Sequence, residues 1–373
     1  MKKEKIKVCL LHSTLHIGGA EEVTANICKT IDKDKFDVTV CFLKEMGKVG
    51  ERIRENGTRI IGIKQQNKGK TDYFTSLKLR KIIHDNKFQI VHSHDIHSLV
   101  DSSLCRLITP SLRLLHTFHY GNYPNREADM ARLERLFWRI PDRLVAVANK
   151  QKQDICDYYK IPNSRITTVW NGVDITHNEV KLDILDEYKS QGKIIIGSIN
   201  TLIEQKGMYD LIKVAKLLKA KIPEKFVFVI AGDGHLRKKL EDEIVSNKLE
   251  QHVKLLGWID SASSVLLPQI DIFFQPSLWE AMSMVLLEAM ASGKPVVTTS
   301  VGETPKIIED SKYGVVVNPG AITDMYSSLE TLILDDNERA RYGKLAKKRY
   351  EETFTATNMS RRYESIYETL ARV

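Results

Sequence analysis

The chain has 373 residues, of which 42% are hydrophobic and 28% charged, a composition typical of globular proteins without low-complexity tracts. This length exceeds what one hydrophobic core usually organises, so we expect two domains. The net charge of +8 favours an acidic partner, such as a phosphorylated substrate or an anionic lipid surface, and the absence of nucleic-acid-binding signatures argues against nucleic acid.

Strand and helix patterns alternate along the first half of the chain. Each apolar run is followed by an amphipathic segment, which is typical of βαβ units that build a parallel sheet. The Asn171-Gly172 turn dipeptide ends this half. Its predicted strands are IKVCLLHS, DVTVCFL, RIIGI, QIVHSHD, RLLHTFH, RLVAVA and ITTVW.

The same alternation restarts near residue 193 with KIIIGSI and continues to GVVVNP. We therefore predict an α/β protein with two Rossmann-like, doubly wound parallel-sheet domains that face a central cleft. The last helix, MSRRYESIYETLARV, is expected to cross back to the first domain. The predicted domains are residues 1–174, completed by 356–373, and residues 175–355.

Two features bear on localisation. The apolar run VCLL is too short for a signal peptide, and no apolar segment is long enough to span a bilayer. Five scattered cysteines without C-x-x-C spacing are typical of reduced thiols. These features predict a cytoplasmic protein, either free or peripheral at the inner face of the membrane. Two basic and apolar stretches, YFTSLKLRKIIHDNK and MARLERLFWRIPDRL, could contact anionic lipid, although solvated helix faces are the more common explanation.

Glu280 and Glu288 lie eight positions apart in SLWEAMSMVLLEAMASGKPVV, and apolar residues surround Glu288. A buried carboxylate requires hydrogen-bonding partners, and ligand hydroxyl groups would serve. We expect Ala281 to Met284 to form the helix start, where unpaired N–H groups attract phosphate. This arrangement indicates a nucleotide-sugar site. Alternatively, Glu280 is a helix-entry residue and Glu288 pairs with an arginine.

The ordered motifs resemble those of the retaining glycosyltransferases of the GT-B fold, in glycosyltransferase family four, and the resemblance covers nearly the whole chain. It rests on STLHIGGAEE, LLHTFH, VWNGVD, EQKG, IAGDG, KLLGWI, the segment with both glutamates, and VGETPKIIEDSKYGVVVNP.

The resemblance implies roles for particular residues. Gly18 and Gly19 would let the first loop approach the donor diphosphate or the acceptor, and Lys206 would neutralise the diphosphate. Glu288 would hold the ribose, Ile259 would contact the base, and His119 would face the acceptor and the reacting centre. The implied catalytic residues are His119, Glu280 and Lys206. The implied donor-binding residues are Gly18, Gly19, Thr201, Lys206, Ile259, Glu280, Met282, Ser283, Met284 and Glu288.

The chain departs from the family pattern at two places. Family members commonly have a glycine-arginine pair where Asn200-Thr201 stands, so one positive charge on the diphosphate is missing. Either Arg237 or another basic group replaces it, or the pocket binds the diphosphate more weakly. Ala281 stands where glycine is common, which would tighten the sugar pocket.

The sequence also contains patterns that are found in proteins of other functions. His92, His94 and His97 resemble a metal cluster, but Ile96 occupies the position where a metallohydrolase would have aspartate. The Asp32-Lys33-Asp34 motif falls in a predicted turn away from the phosphate site. A nucleotide-sugar epimerase or hydrolase of the same fold and a non-catalytic nucleotide-sugar-binding protein remain alternatives.

We therefore expect a retaining hexosyltransferase that uses no metal or other cofactor. It would transfer a sugar from a nucleoside-diphosphate sugar, with UDP favoured, to a glycan or lipid-linked acceptor in the synthesis of cell-surface polysaccharide or glycolipid.

Overall fold

The computed structural model describes residues 4–63, 74–123, 125–176 and 180–372. The chain divides into two compact units. The first comprises Met1–Gly172 and Ala356–Val373, and the second comprises Val173–Thr355.

The first unit contains a seven-stranded parallel sheet with the order β3-β2-β1-β4-β5-β6-β7. Its strands are β1 Ile6–Thr14, β2 Phe36–Glu45, β3 Arg59–Gly62, β4 Ile90–Ser93, β5 Arg113–Phe118, β6 Arg143–Ala146 and β7 Ile166–Thr168. Its connecting helices are α1 Gly19–Thr30, α2 Gly47–Glu55, α3 Thr75–Asn86, α4 Ile96–Ile108, α5 Ala128–Phe137 and α6 Asn149–Tyr159.

The second unit contains a six-stranded parallel sheet with the order β10-β9-β8-β11-β12-β13. Its strands are β8 Ile194–Ile199, β9 Phe226–Ala231, β10 Val253–Gly257, β11 Ile272–Gln275, β12 Val296–Thr299 and β13 Val315–Val317. Its helices are α7 Asp183–Ser190, α8 Met208–Lys221, α9 Arg237–Ser246, α10 Ala262–Leu266, α11 Met284–Ala291, α12 Thr304–Ile308, α13 Ile322–Leu334 and α14 Asp336–Thr353.

The central strands are buried on both faces, as expected where helices cover both sides of a parallel sheet. All six residues of β9, with the sequence FVFVIA, are buried. Such strands appear in a sequence as continuous apolar runs rather than as alternating patterns, which is why the strands themselves could be predicted from the sequence.

The last helix, α15 Ala356–Ala371, belongs to the first unit, as predicted. Tyr363 and Tyr367 are completely buried, and the Tyr367 hydroxyl lies 2.8 Å from His92 Nδ1. Ser360 Oγ lies 2.7 Å from Thr30 Oγ1 on α1. The C-terminal residues therefore complete the core of the first unit.

Each sheet has one point at which the strand order reverses. In the first unit β1 pairs with β4, and in the second unit β8 pairs with β11. Connections leave such neighbouring strands in opposite directions, which opens a crevice at their carboxyl ends. Ligands of doubly wound sheets bind at this place, so the loops after these four strands define the candidate sites.

Candidate active site

In the second unit, the loops that follow β8 and β11 are in direct contact. The N–H of Leu278 donates to the carbonyl oxygen of Gln205 at 2.7 Å. Gly207 has a positive φ of 66°, and a Cβ added there would lie 1.9 Å from the Pro276 carbonyl oxygen. Because no larger residue fits this contact, the glycine of the EQKG motif lets the two loops meet.

This contact brings together Lys206 and Glu280, two of the predicted site residues. Lys206 Nζ lies 2.6 Å from Glu280 Oε1, and the two side chains are 19% and 11% exposed. The Ser277 hydroxyl also donates to Glu280 Oε1, at 3.0 Å. Side-chain amides of Gln205 and Gln275 lie 3.4 Å from the same carboxylate. The carboxylate is thus held at the end of β11 by one cation and three neutral donors.

The predicted helix start at Ala281 is wrong, since α11 begins at Met284. Ser283 is its N-cap, and its hydroxyl accepts from the Leu286 N–H at 3.3 Å. Upstream, the Ala281 carbonyl oxygen accepts instead from the Glu303 N–H at 3.0 Å. Tertiary hydrogen bonds therefore hold the backbone before Ser283 in a non-helical loop. Met282 and Ser283 consequently precede the helix, and the first helical N–H groups belong to Met284 and Val285.

Glu288 lies on the more open side of α11. It shares a partly exposed stripe with Val285, whereas the other residues of the helix are buried. The Ser263 hydroxyl on α10 lies 2.5 Å from Glu288 Oε2. Glu288, which only apolar residues flank in the sequence, thus has a serine partner in the structure and remains partly exposed to solvent. Ile259, in the loop after β10, is also partly exposed.

Arg237 does not offer an unpaired positive charge in place of the family's arginine, whose position is occupied by Thr201. Its Nε donates to Glu241 at 2.9 Å, and its Nη1 lies 3.7 Å from Asp233. Thr201 is exposed, whereas Asn200 is buried and donates to Ser198 Oγ. The guanidinium of Arg237 is therefore already held between two carboxylates.

In the first unit, imidazole rings cluster at the carboxyl ends of β1, β4 and β5. The rings of His12 and His94 stack with centroids 4.6 Å apart, and His92 lies 4.0 Å from His94. His94 Nδ1 lies 3.1 Å from His119 Nε2. His116 bonds instead to Ser93 Oγ at 2.9 Å. The predicted site residue His119 is thus the outermost member of a largely buried histidine cluster.

Burial keeps this cluster uncharged. Desolvation lowers the pKa of His12 and His116 to about 3, and desolvation together with the nearby His12 lowers the pKa of His119 to about 3. The pKa values of His92 and His94 also lie well below 6.5, again mainly because the rings are buried. All five imidazoles are therefore neutral at neutral pH.

The glycine loop after β1 is occupied by a carboxyl group from the chain itself. Gly18 is the N-cap of α1, and a Cβ added there would lie 2.4 Å from Glu21 Oε2. Glu21 Oε1 lies 4.0 Å from His12 Nδ1. Burial raises the pKa of Glu21 to about 7. The space above Gly18 therefore holds Glu21, while Gly19 is exposed at the first turn of α1.

The rings of the histidine cluster pack against one another and form hydrogen bonds with their neighbours. Both ring nitrogens of His92 have partners, since Nε2 lies 2.7 Å from Thr117 Oγ1 and Nδ1 contacts Tyr367. Within the described ranges, no group of three or more histidine, cysteine or acidic side chains is placed to hold a metal ion. Asp32 to Asp34 lie in the turn between α1 and β2.

Comparison with known proteins matches both units. A family model described as Glycosyl transferases group 1 matches residues 182–349, and one described as Glycosyltransferase Family 4 matches residues 17–177. The UDP-Gal:alpha-D-GlcNAc-diphosphoundecaprenol alpha-1,3-galactosyltransferase of Escherichia coli is 22% identical, covering 88% of this chain and 89% of the relative. The O-antigen biosynthesis glycosyltransferase WclY of Escherichia coli is 23% identical, covering 98% and 99%.

Among solved structures, Anabaena Alr3699/HepE in complex with UDP and glucose superposes with a TM-score of 0.84 at 19% identity, covering 99% of this chain and 100% of that one. This likeness and the two parallel sheets confirm the predicted two-domain, Rossmann-like GT-B fold.

Several residues at these sites were not found from the sequence. The sequence does not indicate that His12 and His94 are partners of His119, and it shows Glu21 only as part of the STLHIGGAEE motif. The proximity of His12 and His94 depends on β1 pairing with β4. Strand order is not contained in local periodicity, so no signal in the sequence alone identified these neighbours.

Proposed function

Because this chain belongs to the group 1 glycosyltransferases, we propose that it is a retaining enzyme that transfers a sugar from a nucleoside-diphosphate sugar, with UDP favoured, to a glycan or lipid-linked acceptor. The observation that carries the proposal is the contact of Lys206 with Glu280 at the β8–β11 switch point, beside the start of α11. The nature of the donor is supported by the UDP complex of the Anabaena neighbour.

The donor would bind along the loops of the second unit. Its diphosphate would accept from the first N–H groups of α11, where the helix dipole favours negative charge. Glu288, which is partly exposed, would accept from the ribose hydroxyls. Glu280 would hold the transferred sugar. Ile259 would contact the base through its backbone.

Lys206 would supply the positive charge as the diphosphate leaves. In the free protein its ammonium group is paired with Glu280, so a bound diphosphate would share or take over this ammonium group. With Thr201 in place of the family's arginine, the N–H groups of α11 would carry a larger part of the stabilisation. We therefore expect weaker diphosphate binding than a site with two cations would give.

The proposed chemistry is electrostatic. Glu280 is bound to Lys206 and to three neutral donors, which favours a role in holding the sugar over one as a covalent nucleophile. The leaving diphosphate would accept the proton of the acceptor hydroxyl on the face from which it departs. The new bond would then form on that same face, and the configuration of the sugar would be retained.

The acceptor is proposed to be a glycan or a lipid-linked saccharide. The Escherichia coli relative is named for an acceptor linked to diphosphoundecaprenol. Among the described residues no helix has the length and hydropathy needed to cross a bilayer. We propose peripheral attachment through α3, on which Arg80 and Lys81 are exposed and Lys78 is partly exposed. Tyr73, the first residue of the predicted basic-apolar stretch, lies outside the described residues.

The test is a donor screen followed by a transfer assay. Thermal shifts with UDP, GDP and ADP would identify the nucleotide, and the matching sugar nucleotides would then be incubated with and without saccharide acceptors. NMR of the product should show the donor's anomeric configuration. An inverted product would reject retention. Donor hydrolysis or isomerisation without any transfer would favour the same-fold hydrolase or epimerase, and binding without turnover would favour a non-catalytic protein.

A further inference from the structure

His94 has one hydrogen-bonded ring nitrogen and one without a partner. Its Nδ1 lies 3.1 Å from His119 Nε2. Its Nε2 is buried and has no hydrogen-bond partner among the residues that the structure describes. The His94 ring packs between His12, at 4.6 Å, and His92, at 4.0 Å. This asymmetry determines where the protons of the pair reside.

Two neutral imidazoles that share one hydrogen bond have two arrangements. In one, His94 carries its proton on Nδ1 and donates to His119 Nε2, so the proton of His119 must be on Nδ1. In the other, His119 donates from Nε2 to His94 Nδ1, and the proton of His94 is left on Nε2. The tautomer of each ring follows from the bond that the other ring makes.

The second arrangement leaves a buried N–H group with no acceptor. Orphaned buried N–H groups are rarer in proteins than acceptors with unused lone pairs. The first arrangement leaves only an unused lone pair on His94 Nε2, against the neighbouring rings. The first arrangement is therefore the more stable one.

We propose that His94 holds His119 in the Nδ1–H tautomer, so that His119 donates a hydrogen bond from Nδ1 to an oxygen atom of the bound substrate and does not act as a general base. His94 is then a positioning residue that acts through His119. The role of His119 in transfer depends on the proposed function, whereas its tautomer does not.

Three further observations agree with this assignment. Among the described residues, His119 has a hydrogen-bond partner only at Nε2, so its Nδ1 can be offered to a ligand. The rings that face the pair are His12 on β1, His92 on β4 and His116 on β5, and burial holds the pKa of each below 6.5. Among the described residues, the acids near the cluster are Glu21, which faces His12, and Asp95. The Asp95 carboxylate already accepts hydrogen bonds from the N–H groups of Ser13 and Ser98.

The assignment also fits the proton balance of the proposed transfer. The acceptor hydroxyl loses its proton to the leaving diphosphate oxygen, and the bond from that oxygen to the anomeric carbon breaks as the acceptor oxygen bonds to the same carbon. No protein base is needed in this scheme. A neutral hydrogen-bond donor at His119 would hold a substrate oxygen in place without taking up a proton.

The tautomer is measured directly by two-dimensional NMR of protein labelled with 15N at histidine, without any substrate. We expect a pyrrole-type shift for His119 Nδ1 and a pyridine-type shift for Nε2, at neutral pH. Loss of the signals in His119→Gln would assign them, and the exposed His84 on α3 provides the control His84→Gln, which should leave them unchanged. A pyrrole-type Nε2 of His119 would overturn the proposal.

Variants of His94 separate positioning from folding. His94→Asn keeps an N–H donor near the original Nδ1, so His119 should keep its tautomer and transfer should stay within about threefold of wild type. His94→Asp presents an acceptor instead and should move the single proton of the neutral His119 ring from Nδ1 to Nε2, with a fall in transfer of about tenfold or more. If His94→Asp folded, gave a pyrrole-type Nε2 and a pyridine-type Nδ1 at His119, and retained full transfer, His119 would not act as an Nδ1 donor.

The substrate that receives this bond is identified by separate binding measurements on His119→Phe. Weaker binding of UDP-glucose with unchanged binding of UDP would place the oxygen on the transferred sugar. A raised KM for the acceptor with unchanged donor binding would place it on the acceptor. If neither quantity changed, the ligand contact proposed for His119 would be wrong.

Discussion

Lys206 and Glu280 form an ion pair of 2.6 Å across 74 positions of sequence. The pair lies where the loops after β8 and β11 meet. The sequence predicts its members from two different motifs, Lys206 from EQKG and Glu280 from the segment that also contains Glu288. Both side chains are largely buried. The pair therefore stabilises the contact between the two loops, and it also sets the charge of the candidate site.

Replacing Lys206 with alanine should affect both folding and binding. Glu280 would lose its cation in a partly buried position, so we expect the free energy of unfolding to fall by about 2 kcal/mol. Affinity for UDP should fall by about tenfold or more. Chemical denaturation and calorimetric titration measure the two effects. Lys348→Ala is the matched control, because Lys348 makes an exposed pair with Glu352 that is worth under about 1 kcal/mol. Equal effects of the two variants would contradict the role of Lys206.

Glu288→Ala should weaken nucleotide binding, whereas Glu280→Ala should mainly lower turnover. Loss of a charged hydrogen bond to the ribose should cost about 1.5–3 kcal/mol of binding energy. Titration of each variant with UDP, together with steady-state transfer rates, separates the effects. Glu250→Ala, at an exposed position of the second unit, serves as the control. Unchanged UDP affinity in Glu288→Ala would remove the ribose assignment.

Chelation of divalent metal should leave transfer intact. The D-x-D motif, Asp32 to Asp34, lies in the turn between α1 and β2 and not in the loops after β8 and β11. Both ring nitrogens of His92 already form hydrogen bonds, one with Tyr367 and one with Thr117. Initial rates with EDTA should therefore equal those without it. Loss of activity in EDTA, followed by recovery with manganese or zinc, would show that a metal takes part.

Attachment to anionic membranes should depend on the basic side chains of α3. Vesicles that contain anionic lipid should sediment the protein at low salt and release it as salt rises, because screening shortens to about 8 Å at physiological ionic strength. Replacing Lys78, Arg80 and Lys81 with serine should weaken sedimentation without changing UDP affinity. A control variant that replaces three exposed lysines of the second unit, Lys216, Lys238 and Lys248, should sediment like wild type. Absence of binding at low salt would favour a soluble glycan acceptor.

Glu21 should make stability fall as pH rises. Burial raises its pKa from 4.5 to about 7, so between these values the folded protein binds more protons than the unfolded chain. The free energy of unfolding therefore decreases through this range, by about 2–3 kcal/mol from this carboxyl. Glutamine does not ionise, so Glu21→Gln avoids the free-energy cost of a buried carboxylate. The variant should therefore become more stable relative to wild type as the pH rises from 5 to 8. Chemical denaturation of both proteins at each pH gives the difference in their free energies of unfolding. Because both contain the same histidines, this difference reports the ionisation of Glu21. A difference that does not change with pH would show that Glu21 ionises normally.

Local pattern was enough to predict most of the architecture. The apolar runs of β8, β9 and β11 and the amphipathic segments between them carry the periodicities of buried strands and covering helices, because each depends on neighbours a few positions away. The positions of Lys206, Glu280 and His119 at strand ends followed from the same alternation. Their family roles came from motif order rather than from periodicity.

The sequence by itself thus determined the order of strands and helices, whereas contacts between distant segments were decided only by the tertiary structure. The start of α11 moved to Met284 because a hydrogen bond from Glu303 holds Ala281 outside the helix. Likewise, His94 meets His119 only because β4 and β5 are neighbours in the sheet. Strand order and loop contact are set by the packing of the whole unit, and local residue patterns do not specify which distant groups it brings within hydrogen-bonding distance.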